Sequence, residues 1–393
     1  MNDKPGSIIG GVLLVAGSCI GAGMLALPLV TGLSGFAPSL FMMLLVWAFM
    51  TATGLLLVEI NSWFSQRANI ISMAEKTLGP IGKALGWILY LFLFYSLLVA
   101  YITGSGSLAS TYSIPPWIGS IFFAGLFGAV AYQGTRTVDR WNRVLMAGKI
   151  LTYLGMVMLG MHYVDPHLLT RVAPSYALIA LPVLIVSFGY HNMIPVLMTY
   201  MKGDTKRVRT IIWIGSLFAL VVYLIWNIIV LGIVPPEGTW GLFESWKAGR
   251  QASDSVVGIV GISWISTFAE GLAFFALLSS FMAQTLALIH FLADGLKIKS
   301  EKHETVSLCF LALAPPLILS LIYPQLFLAA LGFAGGFCAV ILFGILPVLM
   351  VWIGRYRQKI ASPYQVKGGK PFLIGLFLFA LFIVGIQLSI MFK

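Results

Sequence analysis

AGSCIGAGMLALPL (Ala16–Leu29) lies in the first long apolar run of the chain, with three glycines between Gly17 and Gly23 and Pro28 just beyond. Each glycine weakens a helix by about 1 kcal/mol relative to alanine. The middle of this run is therefore expected to unwind. A second flaw is SFGYHNMIP (Ser187–Pro195), a polar stretch inside another apolar run that also holds Pro182. Histidine and asparagine are costly at bilayer depth unless they face protein or water.

The rest of the chain explains why these two stretches stand out. Of 393 residues, 59% are hydrophobic and 9% charged, and the mean hydropathy is +0.97. A soluble domain carries about 25% charged residues, so lipid is the solvent here. Soluble enzymes, nucleic-acid binders and disordered chains are excluded. Cys19, Cys309 and Cys338 lie in apolar runs with no metal-ligand or disulfide spacing, so neither a metal nor a cofactor is expected.

About eleven runs are long enough to cross as helices: 7–33, 36–60, 82–106, 116–133, 143–162, 175–199, 210–234, 260–293, 304–322, 325–353 and 371–392. With the N-terminus placed in the cytoplasm, 20 of the 24 Lys and Arg fall in cytoplasmic loops. Only Arg171, Lys247, Arg250 and Lys393 remain outside. This asymmetry sets the orientation and accounts for the net charge of +11. No linker divides the chain, so 1–393 reads as one transmembrane domain. Ile70–Leu78 is expected to form a short amphipathic helix at the inner surface, and 235–255 the longest outer loop.

Runs one to five (7–162) and six to ten (175–353) form two groups, and 371–392 is an extra helix. An odd number of spans inverts the second group relative to the first, and the flawed run comes first in each. The fold expected is all-α, with a 5+5 inverted repeat of the leucine-transporter type and broken helices one and six. Unwinding at Gly17–Gly23 exposes backbone N–H groups suited to a carboxylate. Unwinding at Ser187–Gly189 exposes carbonyls suited to an ammonium. Together they describe a site for an α-amino acid, formed by Gly17, Ser18, Cys19, Ile20, Gly21, Ala22 and Gly23 with Ser187, Phe188, Gly189, Tyr190, His191 and Asn192. Alone, the glycine cluster would read as a helix-packing surface; the matching flaw in run six favours the site.

These motifs, with YQVKGGKP (Tyr364–Pro371), resemble the signature segments of the hydroxy and aromatic amino acid permeases, a bacterial family of the amino acid–polyamine–organocation superfamily. The likeness extends over nearly the whole chain, and its tyrosine and tryptophan branches are the most similar. Asn192 departs from the pattern, standing where a glycine is expected. The resemblance implies import of aromatic amino acids by proton symport with alternating access, across the bacterial inner membrane. Substrate, protons and lipid would be the partners.

Lys149 is the coupling candidate. Similar transporters set a lysine of span five against the broken first helix, where sodium-driven relatives hold a sodium ion. The alternative is that Lys149, about 9 Å along the helix from Arg143, snorkels to the cytoplasm. Ser279 and Ser280 keep a sodium-coupled or broader neutral amino acid transporter open. His191 either contacts substrate or holds the unwound backbone; Glu59, Glu270 and His290 receive no role. Phe188, Tyr190, Tyr95, Tyr101, Phe274, Phe333 and Phe337 are candidates for an aromatic slot, with the first two favoured by position. Asn192, Gln284 or a tyrosine would meet a phenol hydroxyl. GFAGGF (Gly332–Phe337) offers either a gate or close packing. A channel lacks its filter residues. A membrane enzyme lacks its catalytic set, since His162, His167, His191, His290 and His303 are scattered.

Overall fold

The structure, a computed structural model, describes residues 5–64, 69–261, 264–297 and 302–392. Lys4, Arg67, Lys299 and Lys393, and the side chains of Lys302 and His303, lie outside the described residues. Among the described residues the regular structure is helical. Eight helices are long and apolar enough to cross a membrane, nine if the bent pair Ile8–Cys19 and Gly23–Gly32 counts as one span. Two shorter apolar helices, Pro116–Tyr132 and Val306–Ile322, fall on the remaining runs read from the sequence. We number the apolar segments one to eleven in chain order.

The first segment bends by 59° between its halves, 1a (Ile8–Cys19) and 1b (Gly23–Gly32). Segment six is a 3-10 turn (Pro174–Ala180), a short helix 6a (Leu181–Ser187), a non-helical break with a second 3-10 turn (His191–Met193), and helix 6b (Ile194–Tyr200). The two segments run antiparallel. The Gly6 N–H donates to the Tyr200 carbonyl at one end, and the Ala173 N–H to the Ser34 carbonyl at the other. Arg171 stands at this second end, with its guanidinium on the Gly32 carbonyl.

Proline leaves a carbonyl one turn earlier without its helical donor, and two such carbonyls are served from neighbouring segments. Trp226 of segment seven (Thr205–Ile233) donates its indole N–H to the Met24 carbonyl, 2.9 Å away and four residues before Pro28. Tyr95 of segment three (Ile70–Ser110) donates to the Leu311 carbonyl at 2.9 Å, four residues before Pro315. Tyr95 is thus a helix-mending group. Segment three starts as the expected short helix, interrupted at Gly79 (φ +75), which glycine tolerates without a Cβ clash. Residues 235–255 contain the short helix Leu242–Lys247 and the start of an outer helix, Ala252–Val260. GFAGGF leads into a π-helix, Ala334–Ile345, within segment ten.

At the N-terminal end of the molecule, Glu59 of segment two (Phe36–Ser62) is fully buried against Arg355 of segment ten (Phe327–Tyr356). Two hydrogen bonds of 2.6 and 2.5 Å join them. The same carboxylate accepts the Val366 N–H, and Arg355 donates to the Val366 carbonyl, so the pair pins the YQVKGGKP segment. Arg209 lies 4.3 Å over the Tyr364 ring. Removing one member would strand a buried charge, at a cost of about 3–5 kcal/mol.

Candidate functional site

The two breaks abut. A Cβ on Gly23 would come within 2.7 Å of Ser187 Oγ, and one on Gly21 within 2.8 Å of Ser280 Oγ. Glycine lets Ser187 of the second break approach Gly23 and Ser280 approach Gly21. The Tyr223 hydroxyl lies 2.6 Å from the Cys19 carbonyl and 2.8 Å from the Ser187 carbonyl, linking the C-terminal ends of 1a and 6a through one group.

The amides of the first break are partly used. Ile20 N–H still donates to Ala16, Gly21 N–H to Cys19, and Ala22 N–H to Ser280 Oγ at 3.2 Å. Among the described residues the Gly23 N–H has no acceptor, and it stands at the N-terminus of 1b, where the helix dipole favours an anion. Lys149 of segment five (Thr135–Tyr163) is 4% exposed and donates from Nζ to the Ile20 carbonyl at 2.6 Å. The ammonium lies at the carbonyl end of 1a, which attracts a cation, and its side chain is turned to the break.

A cavity of about 560 Å3 opens beside the breaks, within the range of small-molecule sites, ~300–1,000 Å3. Its wall includes Gly17, Ser18, Cys19, Gly21, Ala22 and Gly23 of segment one, Ser187, Gly189 and Asn192 of segment six, and Lys149. Four residues read from the sequence as site members are not on that wall. Ile20 contributes its carbonyl to Lys149. Phe188 packs edge-on against Tyr223, ring centroids 5.2 Å apart. Tyr190 donates its hydroxyl to the Met50 carbonyl of segment two at 3.1 Å. His191 sets Nε2 3.0 Å from Thr53 Oγ1 and stacks between Tyr190 and Phe343, both centroids at 4.9 Å. Tyr190 and His191 fill the space toward segment two and Phe188 packs toward segment seven, which leaves Ser187, Gly189, Asn192 and Met193 to the cavity.

The aromatic slot therefore differs from the expectation. Of the seven aromatic candidates only Tyr101 lines the cavity; Phe188 and Tyr190 are turned away. Phe274 is exposed on the outer surface of the helix bundle, and Phe333 and Phe337 pack against each other. Phe94 and Phe343 line the cavity and were missed in the sequence. Phe94, Leu97 and Tyr101 recur at i, i+3 and i+7, one face of a helix, a signal that was available for Phe94. Gln284 and Ser280 of segment eight (Trp264–Gly295) are on the wall, as are Asn142 and Met146. Glu270 instead accepts the Tyr112 hydroxyl at 2.5 Å, near the end of its segment.

An assembly of apolar helices that encloses a cavity between two broken, antiparallel segments is an integral membrane transport protein. Residues 4–387 match the model of the tryptophan/tyrosine permease family, and the chain belongs to that family. Tyrosine-specific transport system 1 of Haemophilus influenzae is 32% identical over 391 residues, covering 97% of this chain and 96% of its own. A tryptophan-specific transport protein of the same organism is 30% identical over 394 residues, covering 95% and 94%. The low affinity tryptophan permease of Escherichia coli strain K12 is 30% identical over 395 residues, covering 93% and 92%. Family and relatives are named as transport proteins, not enzymes.

Proposed function

We propose that this permease imports aromatic amino acids, tyrosine first and tryptophan second, across the bacterial inner membrane by proton symport. The observation that carries this reading is the pairing of half-helix ends on one cavity. The unpartnered Gly23 amide suits the substrate carboxylate, and the carbonyl end of 6a suits its ammonium. Tyr101, Phe94 and Phe343 supply flat apolar wall for a ring.

Lys149 is the proposed coupling group. Its contact with the Ile20 carbonyl sets the charge of segment five directly on the break in segment one. Loss of its proton removes the charge that strengthens that contact and so weakens it, which gives transport a step that depends on protonation. The sodium reading is weaker, because Ser280 Oγ is engaged by the Ala22 N–H and Lys149 holds a neighbouring carbonyl. The cavity extends along 1a past Gly10, Leu13 and Leu14 and past Asn142 and Ala287. With the N-terminus cytoplasmic, this is an inward-facing form, one end of an alternating-access cycle with the 5+5 inverted-repeat topology.

The test is uptake of labelled tyrosine into proteoliposomes under an imposed inward proton gradient. Accumulation should follow the gradient and vanish when it is collapsed. Accumulation that persists without the gradient and requires sodium would overturn the proton reading. Lys149→Met should retain tyrosine binding and lose accumulation; unchanged pumping would leave Lys149 as only a cap on 1a.

A further inference from the structure

Asn192, on the cavity wall, has a single side-chain hydrogen-bond partner among the described residues. Tyr90 of segment three donates its hydroxyl to Asn192 Oδ1 at 2.6 Å. Tyr90 is buried and is not itself on the wall. No other acceptor among the described residues meets its O–H, so the opposite amide orientation would leave a buried hydroxyl proton unpaired, a costly arrangement. The carboxamide oxygen is thus spoken for, and its NH2 group has no protein partner among the described residues. Ring contacts support the placement. Tyr90 packs on Phe94 and Phe343, two of the aromatic residues of the cavity wall, with centroids at 6.0 and 6.3 Å.

We propose that the Tyr90–Asn192 pair sets the ring preference of the site, presenting a hydrogen-bond donor that selects a hydroxylated ring over indole or phenyl. This deepens the aromatic-substrate reading and rests on it. A phenol oxygen accepts from the Asn192 amide. An indole N–H only donates and so meets donor with donor, and phenyl leaves the amide unpaired. Gln284, also on the wall, carries both a donor and an acceptor and discriminates neither ring. Tyr90 is a positioning residue that acts through Asn192.

The experiment is competition of unlabelled tyrosine, tryptophan and phenylalanine against labelled tyrosine on the purified full chain in lipid nanodiscs. Wild type should bind tyrosine about tenfold or more tightly than either competitor. Tyr90→Phe frees the carboxamide to turn its oxygen to the cavity. The tyrosine-to-tryptophan ratio should then fall by about fivefold or more while tyrosine still binds. Asn192→Leu should erase the advantage of tyrosine over phenylalanine. A Tyr90→Phe protein that binds tyrosine with an unchanged ratio overturns the inference. So does a wild type that prefers tryptophan, a result that needs no variant to fold. A wild type that binds none of the three defeats the aromatic reading itself, and is thereby distinguished from failure of the pair.

Discussion

The two breaks interrupt their helices at matching points, share the Tyr223 hydroxyl, and are otherwise held in different ways. The first is made of small residues and is secured from outside. Lys149 takes the Ile20 carbonyl, Tyr223 the Cys19 carbonyl, Ser280 the Ala22 N–H, and Trp226 the Met24 carbonyl. The second carries larger residues that reach outward themselves, Tyr190 and His191 to Met50 and Thr53 of segment two, beside the bonds it receives from Tyr223 at the Ser187 carbonyl and from Tyr90 at Asn192. Unwound backbone in a membrane must have its polar groups met by protein or water. Where the side chains are small, the partners come from segments five, seven and eight, and backbone stays bare to the cavity. Where they are large, the break becomes a packed wall. The first break therefore leaves bare backbone at the cavity, while the second sends Tyr190 and His191 into packing against segment two.

If that contrast is right, the largest effect belongs to the first break. Gly23→Val would place a Cβ 2.7 Å from Ser187 Oγ and 3.5 Å from Ser187 Cα, beside the unpartnered amide. Tyrosine binding should weaken by about 100-fold or more, since the branched side chain separates the half-helices and covers the anion site. Isothermal titration on the purified protein reads this directly, and near-normal affinity would mean that the substrate head does not sit at this break. Tyr223→Phe is next. It removes the one hydroxyl shared by the Cys19 and Ser187 carbonyls and should cost about 1–3 kcal/mol, seen as a lower unfolding temperature in detergent. Tyr190→Phe loses one bond to the Met50 carbonyl while its ring packing remains, so about 0.5–1.5 kcal/mol is expected. A Tyr190 effect larger than that of Tyr223 would break the comparison, because the bridge between the half-helices would then matter less than the brace.

The same contrast explains what could be read in advance. The break positions were legible, because glycine and buried polar residues violate the rules for a membrane helix within a few residues of sequence. The groups that hold the first break were not. Tyr223 and Trp226 sit in an ordinary apolar segment, and only the fold brings them to residues about 200 positions away. Lys149 stood out as a charge in an apolar run, but its placement against the first break was expected only from the family resemblance, and nothing local said which way Phe188 and Tyr190 would point. Glu59 received no role from the sequence, because its partner Arg355 is 296 residues distant. The π-helix of segment ten left only the glycines of GFAGGF as a trace.

Among the described residues neither break is held by a carboxylate, and this separates both from the outer helix Ala252–Val260, which packs against 1b. Asp254 anchors that helix to segment three by accepting the Ser107 hydroxyl at 2.7 Å, and it caps the helix by accepting the Gln251 N–H at 3.1 Å. Burial pushes the Asp254 carboxyl above the usual aspartate range; the bonds from Ser107 and Gln251 and the charge of Arg250 oppose the shift without cancelling it. A carboxyl that is more basic when folded binds its proton more tightly in the docked state. Its contribution to docking is therefore complete below the ordinary aspartate pKa of about 4 and is lost as pH rises through the raised value. Amide-exchange protection over residues 252–260, corrected for the intrinsic rate, should accordingly be greatest in acid and decline toward neutrality. Asp254→Asn should flatten that decline. The effect is the smallest of the four, because one half-buried group is involved and its hydrogen bonds persist in part. Protection that instead rises with pH would mean that the carboxylate bonds to Ser107 and Gln251 outweigh burial, and that the outer helix is fastened by charge after all.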